Sequence, residues 1–160
     1  MYQNSHQHFN NKSRYEVPKP NIKITFSDER YVDEAEAVIR YCKQNGFKAP
    51  GSRENDEISY NQLRNLLGMT SAIFDATNIS GLAGIYDQLT YFRIQLVYTA
   101  GRNQAMKSFI DASQLLEIVK KIEQKTGSES QQKREIIRLC KYMEALVAYF
   151  KYYGGGQNND

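Results

Sequence analysis

The chain has 160 residues, 41% of them hydrophobic and 24% charged, with a formal net charge of +3; this is the balance of a globular domain with a real core, not of a fibrous or polycationic protein. It contains no long apolar run and no basic-plus-apolar leader, so neither a bilayer nor export is indicated, and the cytoplasm is the expected compartment. In that compartment Asn11-Lys12-Ser13 and Asn78-Ile79-Ser80 are not glycosylation sites, and Cys42 and Cys140, each on the apolar side of a helical pattern, are expected as buried free thiols.

Residues 1–19 are rich in Asn, Gln, Ser and His and close on Pro18 and Pro20. They cannot bury enough apolar surface to offset their ordering entropy, which predicts a disordered arm. The alternation at 22–26 is too short to found a sheet. A first helix is predicted from Asp33, whose side chain caps while Glu36 reaches back; Ala35, Val38, Ile39 and Cys42 form its buried stripe and Gly46 ends it. Residues 48–57, with Pro50 and Gly51, read as a surface loop.

Ser59 and Gln62 form a second capping box that opens a helix through Leu63, Leu66, Leu67, Ile73 and Phe74. Gly68 weakens its middle by about 1 kcal/mol relative to alanine, which points to close packing or a bend there. After a turn at 78–81, a third helix over 82–100 carries Ile85, Leu89, Phe92 and Leu96 as its seam, with Gly101 placed to end it. The next region divides into a short turn of helix around 106–110 and, after a cap at Asp111 and Gln114, a helix with Leu115, Leu116, Val119 and Ile122. Gly127 and Ser128 turn the chain into the last helix, 133–153, whose Ile136, Cys140, Met143, Val147 and Phe150 wind into one buried seam. The predicted fold is an all-α bundle of about five helices with short loops. It comprises the disordered arm (1–19), a single helical domain (20–153) and a flexible Gly/Asn-rich tail (154–160).

Charge is distributed unevenly. Asp28, Glu29, Asp33, Glu34 and Glu36 make the start acidic, whereas Lys133, Arg134, Arg138, Lys141 and Lys151 make the end basic. On the last helix Arg134, Arg138, Lys141, Ala145, Ala148 and Tyr152 recur at helical spacing opposite the seam. Such a stripe is either a solvated face or a surface for a polyanion backbone, with cations to neutralise phosphates and alanines to permit close approach. The third helix offers Tyr91, Gln95, Tyr98 and Arg102 in a row off its seam, and the second offers Gln62, Arg64 and Asn65 near its amino end. Tyrosines at such places are core-margin rings or stacking faces.

Catalysis has little to work with. Both histidines, His6 and His8, fall in the arm, so a nucleophile relay lacks a positioned base and a metal site falls short of the usual ligand count. Ser130-Gln131-Gln132-Lys133 and Lys125-Thr126-Gly127 match the S-x-x-K and K-T-G patterns of penicillin-recognising enzymes, but in reversed order and without a sheet, which makes them coincidence.

Three segments carry a resemblance. The run from Arg138-Leu139-Cys140-Lys141-Tyr142-Met143 through Tyr149-Phe150-Lys151-Tyr152-Tyr153 to Gly154-Gly155 resembles the C-terminal helix of the small subunit of the type III-A CRISPR effector, the Csm complex. Tyr91-Phe92-Arg93-Ile94-Gln95-Leu96-Val97-Tyr98-Thr99-Ala100-Gly101-Arg102 is similar to that family's central helix, and Ser59-Tyr60-Asn61-Gln62-Leu63-Arg64-Asn65 to the start of its second. Phe150 stands where the family pattern leads one to expect a histidine, which removes any imidazole role there. The resemblance implies a non-enzymatic subunit without cofactor or metal. Its copies stack along the effector beside the backbone subunit and the large signature subunit, and line the channel where target RNA pairs with the guide RNA. It also implies RNA-backbone contacts among Gln62, Arg64, Asn65, Arg93, Tyr98, Arg102, Arg134, Arg138, Lys141, Tyr149 and Lys151, with sequence choice left to guide pairing. The alternative is a helical adaptor that uses the same basic stripe only to bridge proteins.

Overall fold

The structure, a computed structural model, describes residues 20–51 and 56–157. The arm at 1–19, with both histidines, therefore lies outside the described residues. The described residues form six helices in order: α1 (Tyr31–Gln44), α2 (Tyr60–Ser80), α3 (Ile85–Arg102), α4 (Gln104–Ser113), α5 (Leu115–Ile122) and α6 (Glu129–Tyr152). The fold is all-α, as the periodicity predicts; among the described residues the only β feature is an isolated Lys48–Glu57 bridge.

The hydrophobic seams are where the 3.6-residue period puts them. Leu63, Leu66 and Ile73 of α2, Ile85, Leu89, Phe92 and Leu96 of α3, and Ile136, Cys140, Met143, Val147 and Phe150 of α6 are all buried. The long α6 packs against α1, α2 and α5, while α3 covers α2, α4 and α5. Two buried threonines interrupt the α2 seam without cost in lost hydrogen bonds, because Thr70 and Thr77 donate to the carbonyls of Leu67 and Ile73, at 3.0 and 2.7 Å. Tyr142 is fully buried and its hydroxyl donates to the Ser113 carbonyl at 3.0 Å, which ties α6 to the end of α4.

Several boundaries differ from expectation. The helix α1 begins at Tyr31, with Arg30 at its N-cap and no side-chain cap, so Asp33 and Glu36 lie inside the helix instead of forming its capping box. The Ser27 carbonyl accepts from Arg30 N and Tyr31 N, and this turn starts the helix earlier. At α2 the box is half formed: Ser59 Oγ accepts from Gln62 N, but Gln62 Oε1 is buried without a hydrogen-bond partner. The complete box belongs to Ser128 and Gln131, which open α6 at Glu129, ahead of the expected start. Gly101 lies within α3, and Asn103 ends that helix while capping α4 through Oδ1 to Met106 N. The six-helix count comes from Gln114, whose φ of 54° breaks the 104–122 region into α4 and α5.

Both α1 and α6 stop in the same way. Gly46 N donates to the Lys43 carbonyl and Phe47 N to that of Cys42; Gly154 N donates to Lys151 and Gly155 N to Phe150. These are Schellman closures with a left-handed glycine, Gly46 at φ 64° and Gly154 at φ 84°. Gly155, expected in the tail, is buried on the Phe150 ring, and Gly156 lies against Tyr60. The start of the tail thus completes one end of the bundle.

Residues 22–26 run as a strap without regular secondary structure, with Ile22, Ile24 and Phe26 packed on the core and Phe26 left-handed at φ 55°. Glu34, a buried carboxylate, accepts from Thr25 N, Thr25 Oγ1 and Phe26 N, and Gln114 Nε2 donates to the Ile22 carbonyl.

Candidate nucleic-acid interface

The ends of three helices meet at one pole. Asn103 Nδ2 donates to the Glu57 carbonyl at 3.0 Å, which brings the carboxyl end of α3 to the chain just before α2. The carboxyl end of α6 arrives at the same place, since Tyr60 stacks on Phe150 with centroids 6.5 Å apart. Arg64, Arg102 and Lys151 therefore lie at this pole on three separate elements, Arg64 and Lys151 sharing one ring and Arg102 on another. Each is held on a tyrosine: Lys151 Nζ lies 3.7 Å and the Arg64 guanidinium 5.7 Å from the Tyr60 centroid, and the Arg102 guanidinium 5.4 Å from that of Tyr98. Arg102 also donates to the Tyr98 hydroxyl. None of the three cations forms an ion pair among the described residues. Cation–π contact orients a guanidinium or ammonium while leaving its charge available. Arg102 and Lys151 also sit in the last turns of their helices, where they offset the negative end of the dipole. Gln62 and Asn65 stand on the first turns of α2 at the same pole, Asn65 exposed and Gln62 half-buried.

The remaining expected residues are elsewhere or engaged. Arg134 and Lys151 are separated by roughly 25 Å along α6 at about 1.5 Å per residue, so the eleven residues do not make one surface. Arg93 pairs with Glu123 at 3.1 Å, stapling α3 to the end of α5. Arg138, expected on an open stripe, is only 14% exposed and ion-pairs with Asp28 at 2.7 Å; it also donates to the Phe26 carbonyl at 3.1 Å and covers the Phe26 ring. That ion-paired hydrogen bond to Asp28, reinforced by the charges of Arg138, Arg134 and Lys141, holds the Asp28 carboxyl below its ordinary range. Arg134 and Lys141 form no ion pair among the described residues, and Lys141 is exposed. Tyr149 faces α1, where burial, then Glu36 and Asp33, push its hydroxyl's pKa up.

Sequence reasoning passed over a second cluster at this pole. Tyr153 donates to Glu36 at 2.5 Å and accepts from Arg40 Nε at 2.9 Å. Arg40 and Lys43 both approach its ring, and Tyr152 and Tyr149 flank it. The helical spacing of Glu36, Arg40 and Lys43 is visible in the sequence, but the tyrosine that joins them comes from more than a hundred residues away.

Among the described residues no three His, Cys, Asp or Glu side chains are grouped to hold a metal, and no helix is long and apolar enough to cross a membrane. Burial pushes the Cys42 and Cys140 thiols up to about 12, so neither offers a thiolate.

Comparison with known proteins gives this geometry a lineage. Residues 32–156 match the family Csm2 Type III-A. The chain is 37% identical over 129 residues to the CRISPR system Cms protein Csm2 of Streptococcus thermophilus, covering 81% of this chain and 95% of that protein. It is 37% identical over 128 residues to the protein of the same name from Mycobacterium tuberculosis H37Rv, covering 76% and 90%. Its identity to that of Enterococcus italicus is 30% over 105 residues, covering 62% and 70%. The match begins at the first turn of α1 and runs through the glycine closure of α6, the span that builds the pole, and the chain belongs to the Csm2 family of type III-A CRISPR systems.

Proposed function

We propose that this chain is a non-catalytic small subunit of a type III-A CRISPR effector, stacked with further copies of itself beside the backbone and large signature subunits, and that it contacts the target RNA–guide duplex through phosphate and sugar. The observation that carries the RNA contact is the pole itself. Arg64, Arg102 and Lys151 stand at this pole on three helices, are oriented by Tyr60 and Tyr98, and form no ion pair among the described residues. Pre-oriented cations are what phosphate neutralisation requires, and in a guide-directed effector sequence choice is left to guide pairing. An effector of this kind works in the cytoplasm and needs no cofactor from this subunit.

A second reading, protein bridging alone, is favoured by the outward face of α3. Tyr91, Ile94 and Val97 are each more than half exposed, beside a groove lined by Met69, Ala72, Gln88 and Tyr91. Apolar surface of this kind fits a neighbouring subunit.

One experiment separates the two. Arg64→Ala, Arg102→Ala and Lys151→Ala are combined in the assembled effector, and target-RNA retention is titrated across salt with two unrelated guide and target pairs. Retention is expected to fall for both pairs alike. The log–log salt slope is expected to flatten by about 0.7 for each phosphate of a single strand that is no longer neutralised, or about 0.9 for each phosphate of a duplex. An unchanged slope with failed subunit incorporation makes the adaptor reading correct.

A further inference from the structure

Tyr152 is 79% exposed, the most open aromatic ring among the large hydrophobic side chains of the described residues. Its hydroxyl makes no hydrogen bond among the described residues, yet its ring is supported. Tyr153 meets it edge to face at 5.1 Å and an interplanar angle of 81°. Tyr153 is in turn immobilised by Glu36 and Arg40 and stacked on Tyr149 at 6.3 Å. Arg40 and Lys43, both exposed, stand 5.8 and 5.1 Å from the Tyr153 centroid. The Tyr153 hydroxyl, then Glu36, hold Arg40 firmly in its charged form. Glu36 is occupied by Arg40 and Tyr153, and Lys43 has no carboxylate partner among the described residues.

We propose that Tyr152, buttressed by Tyr153, is a stacking platform for an unpaired nucleobase, with the adjoining phosphates of a single-stranded RNA against Lys43 and Arg40. This rests on the RNA-contacting role proposed above, and adds to it a strand-specific site on the α1 side of the same pole. Single-strand binders combine a cationic track with sequence-tolerant aromatic faces, and this patch supplies both around the Tyr152–Tyr153 pair. A protein partner fits the patch less well. The cores of protein interfaces are depleted of charge, whereas the exposed Ile94 and Val97 belong to α3, which packs against α2, α4 and α5 and not against α1.

The test uses the purified full-length chain and an unstructured oligouridylate carrying 5-iodouridine. Ultraviolet crosslinking is expected to label Tyr152. Tyr152→Ala is expected to weaken binding about 5- to 100-fold with an unchanged salt slope, and Tyr152→Phe to stay within about twofold, because the ring face and not the hydroxyl stacks. Lys43→Ala is expected to flatten the slope by about 0.7. With the ring so exposed, thermal melting of both Tyr152 variants should match wild type. Equal binding by Tyr152→Ala and wild type, or equal losses for the alanine and phenylalanine variants, overturns the platform. Failure of the wild-type chain to bind at low salt overturns it too, while the backbone-contacting role is decided separately by the Arg64, Arg102 and Lys151 substitutions in the effector. Loss of effector incorporation by Tyr152→Ala with RNA affinity intact makes the patch a protein contact and refutes the proposal.

Discussion

Replacing Arg138 by alanine tests whether this cation is structural or available to ligand. Three interactions go with it: the Asp28 ion pair at 2.7 Å, the hydrogen bond to the Phe26 carbonyl at 3.1 Å, and the guanidinium over the Phe26 ring at 5.4 Å. Asp28 is 51% exposed, so screening holds the ion pair to about 0.5 kcal/mol. The charged hydrogen bond to a half-buried carbonyl contributes roughly 1 kcal/mol, and the cation–π contact about 0.5 kcal/mol. The expected loss is therefore about 2 kcal/mol, a fall in melting temperature of roughly 8 °C for a domain of this size. Asp28→Asn removes the ion pair alone and should cost about 0.5 kcal/mol. Its pH dependence has a defined sign. The folded-state pKa of Asp28 is depressed, so its contribution is full above the unfolded carboxylate pKa and is lost as pH falls through the lower folded value. The gap between wild type and Asp28→Asn should be present at neutral pH and close in that acid window. Urea melts followed by circular dichroism measure all three proteins. An Arg138→Ala variant within about 0.5 kcal/mol of wild type, the cost of the ion pair alone, would refute the assignment of Arg138 to the strap.

Further outcomes follow from the glycines and the thiols. A Cβ at Gly68 meets nothing within 4 Å, so Gly68→Ala should stabilise α2 by about 0.5–1 kcal/mol, measured by the denaturation midpoint, with α2 not tightly packed there. A Cβ at Gly155 would overlap the Phe150 ring, so Gly155→Ala should destabilise by about 1–3 kcal/mol in the same assay, through sterics alone because its φ is not positive. Cys42 and Cys140, buried and with their pKa values pushed up to about 12, should react with a thiol reagent at a mildly alkaline pH only as fast as the protein unfolds; a fast native-state reaction of either would contradict their burial.

The parts of this fold legible in the sequence are those fixed by local periodicity. The seams of α2, α3 and α6 could be read because each buried side chain recurs every three or four residues on an otherwise polar helix. The end of α1 at Gly46 was legible because a left-handed residue after a helix is a local demand. The start of α1 was not: Asp33 and Glu36 form a sound local capping pattern, but the turn at Ser27 and the strap bound by Glu34 fix the helix from outside it.

The same distinction divides the candidate site. Arg64 on Tyr60 and Arg102 on Tyr98 are four residues apart on single helices, the spacing that brings side chains together, so their pairing was accessible to sequence reasoning. Lys151 on Tyr60 joins α6 to α2, and no helical wheel shows it. Periodicity places a cation on one side of its helix; topology decides whether a carboxylate arrives there. Arg138 and Lys141 occupy the same face within one turn, yet the strap brings Asp28 into hydrogen-bonding contact with Arg138 alone, while Lys141 stays exposed. A phosphate approaching that face must displace Asp28 and the Phe26 carbonyl to reach Arg138, whereas Arg64, Arg102 and Lys151 form no ion pair among the described residues and are already held on tyrosine rings. Under the proposed RNA-contacting role, this electrostatic cost favours the pole over Arg138 as the place of phosphate contact.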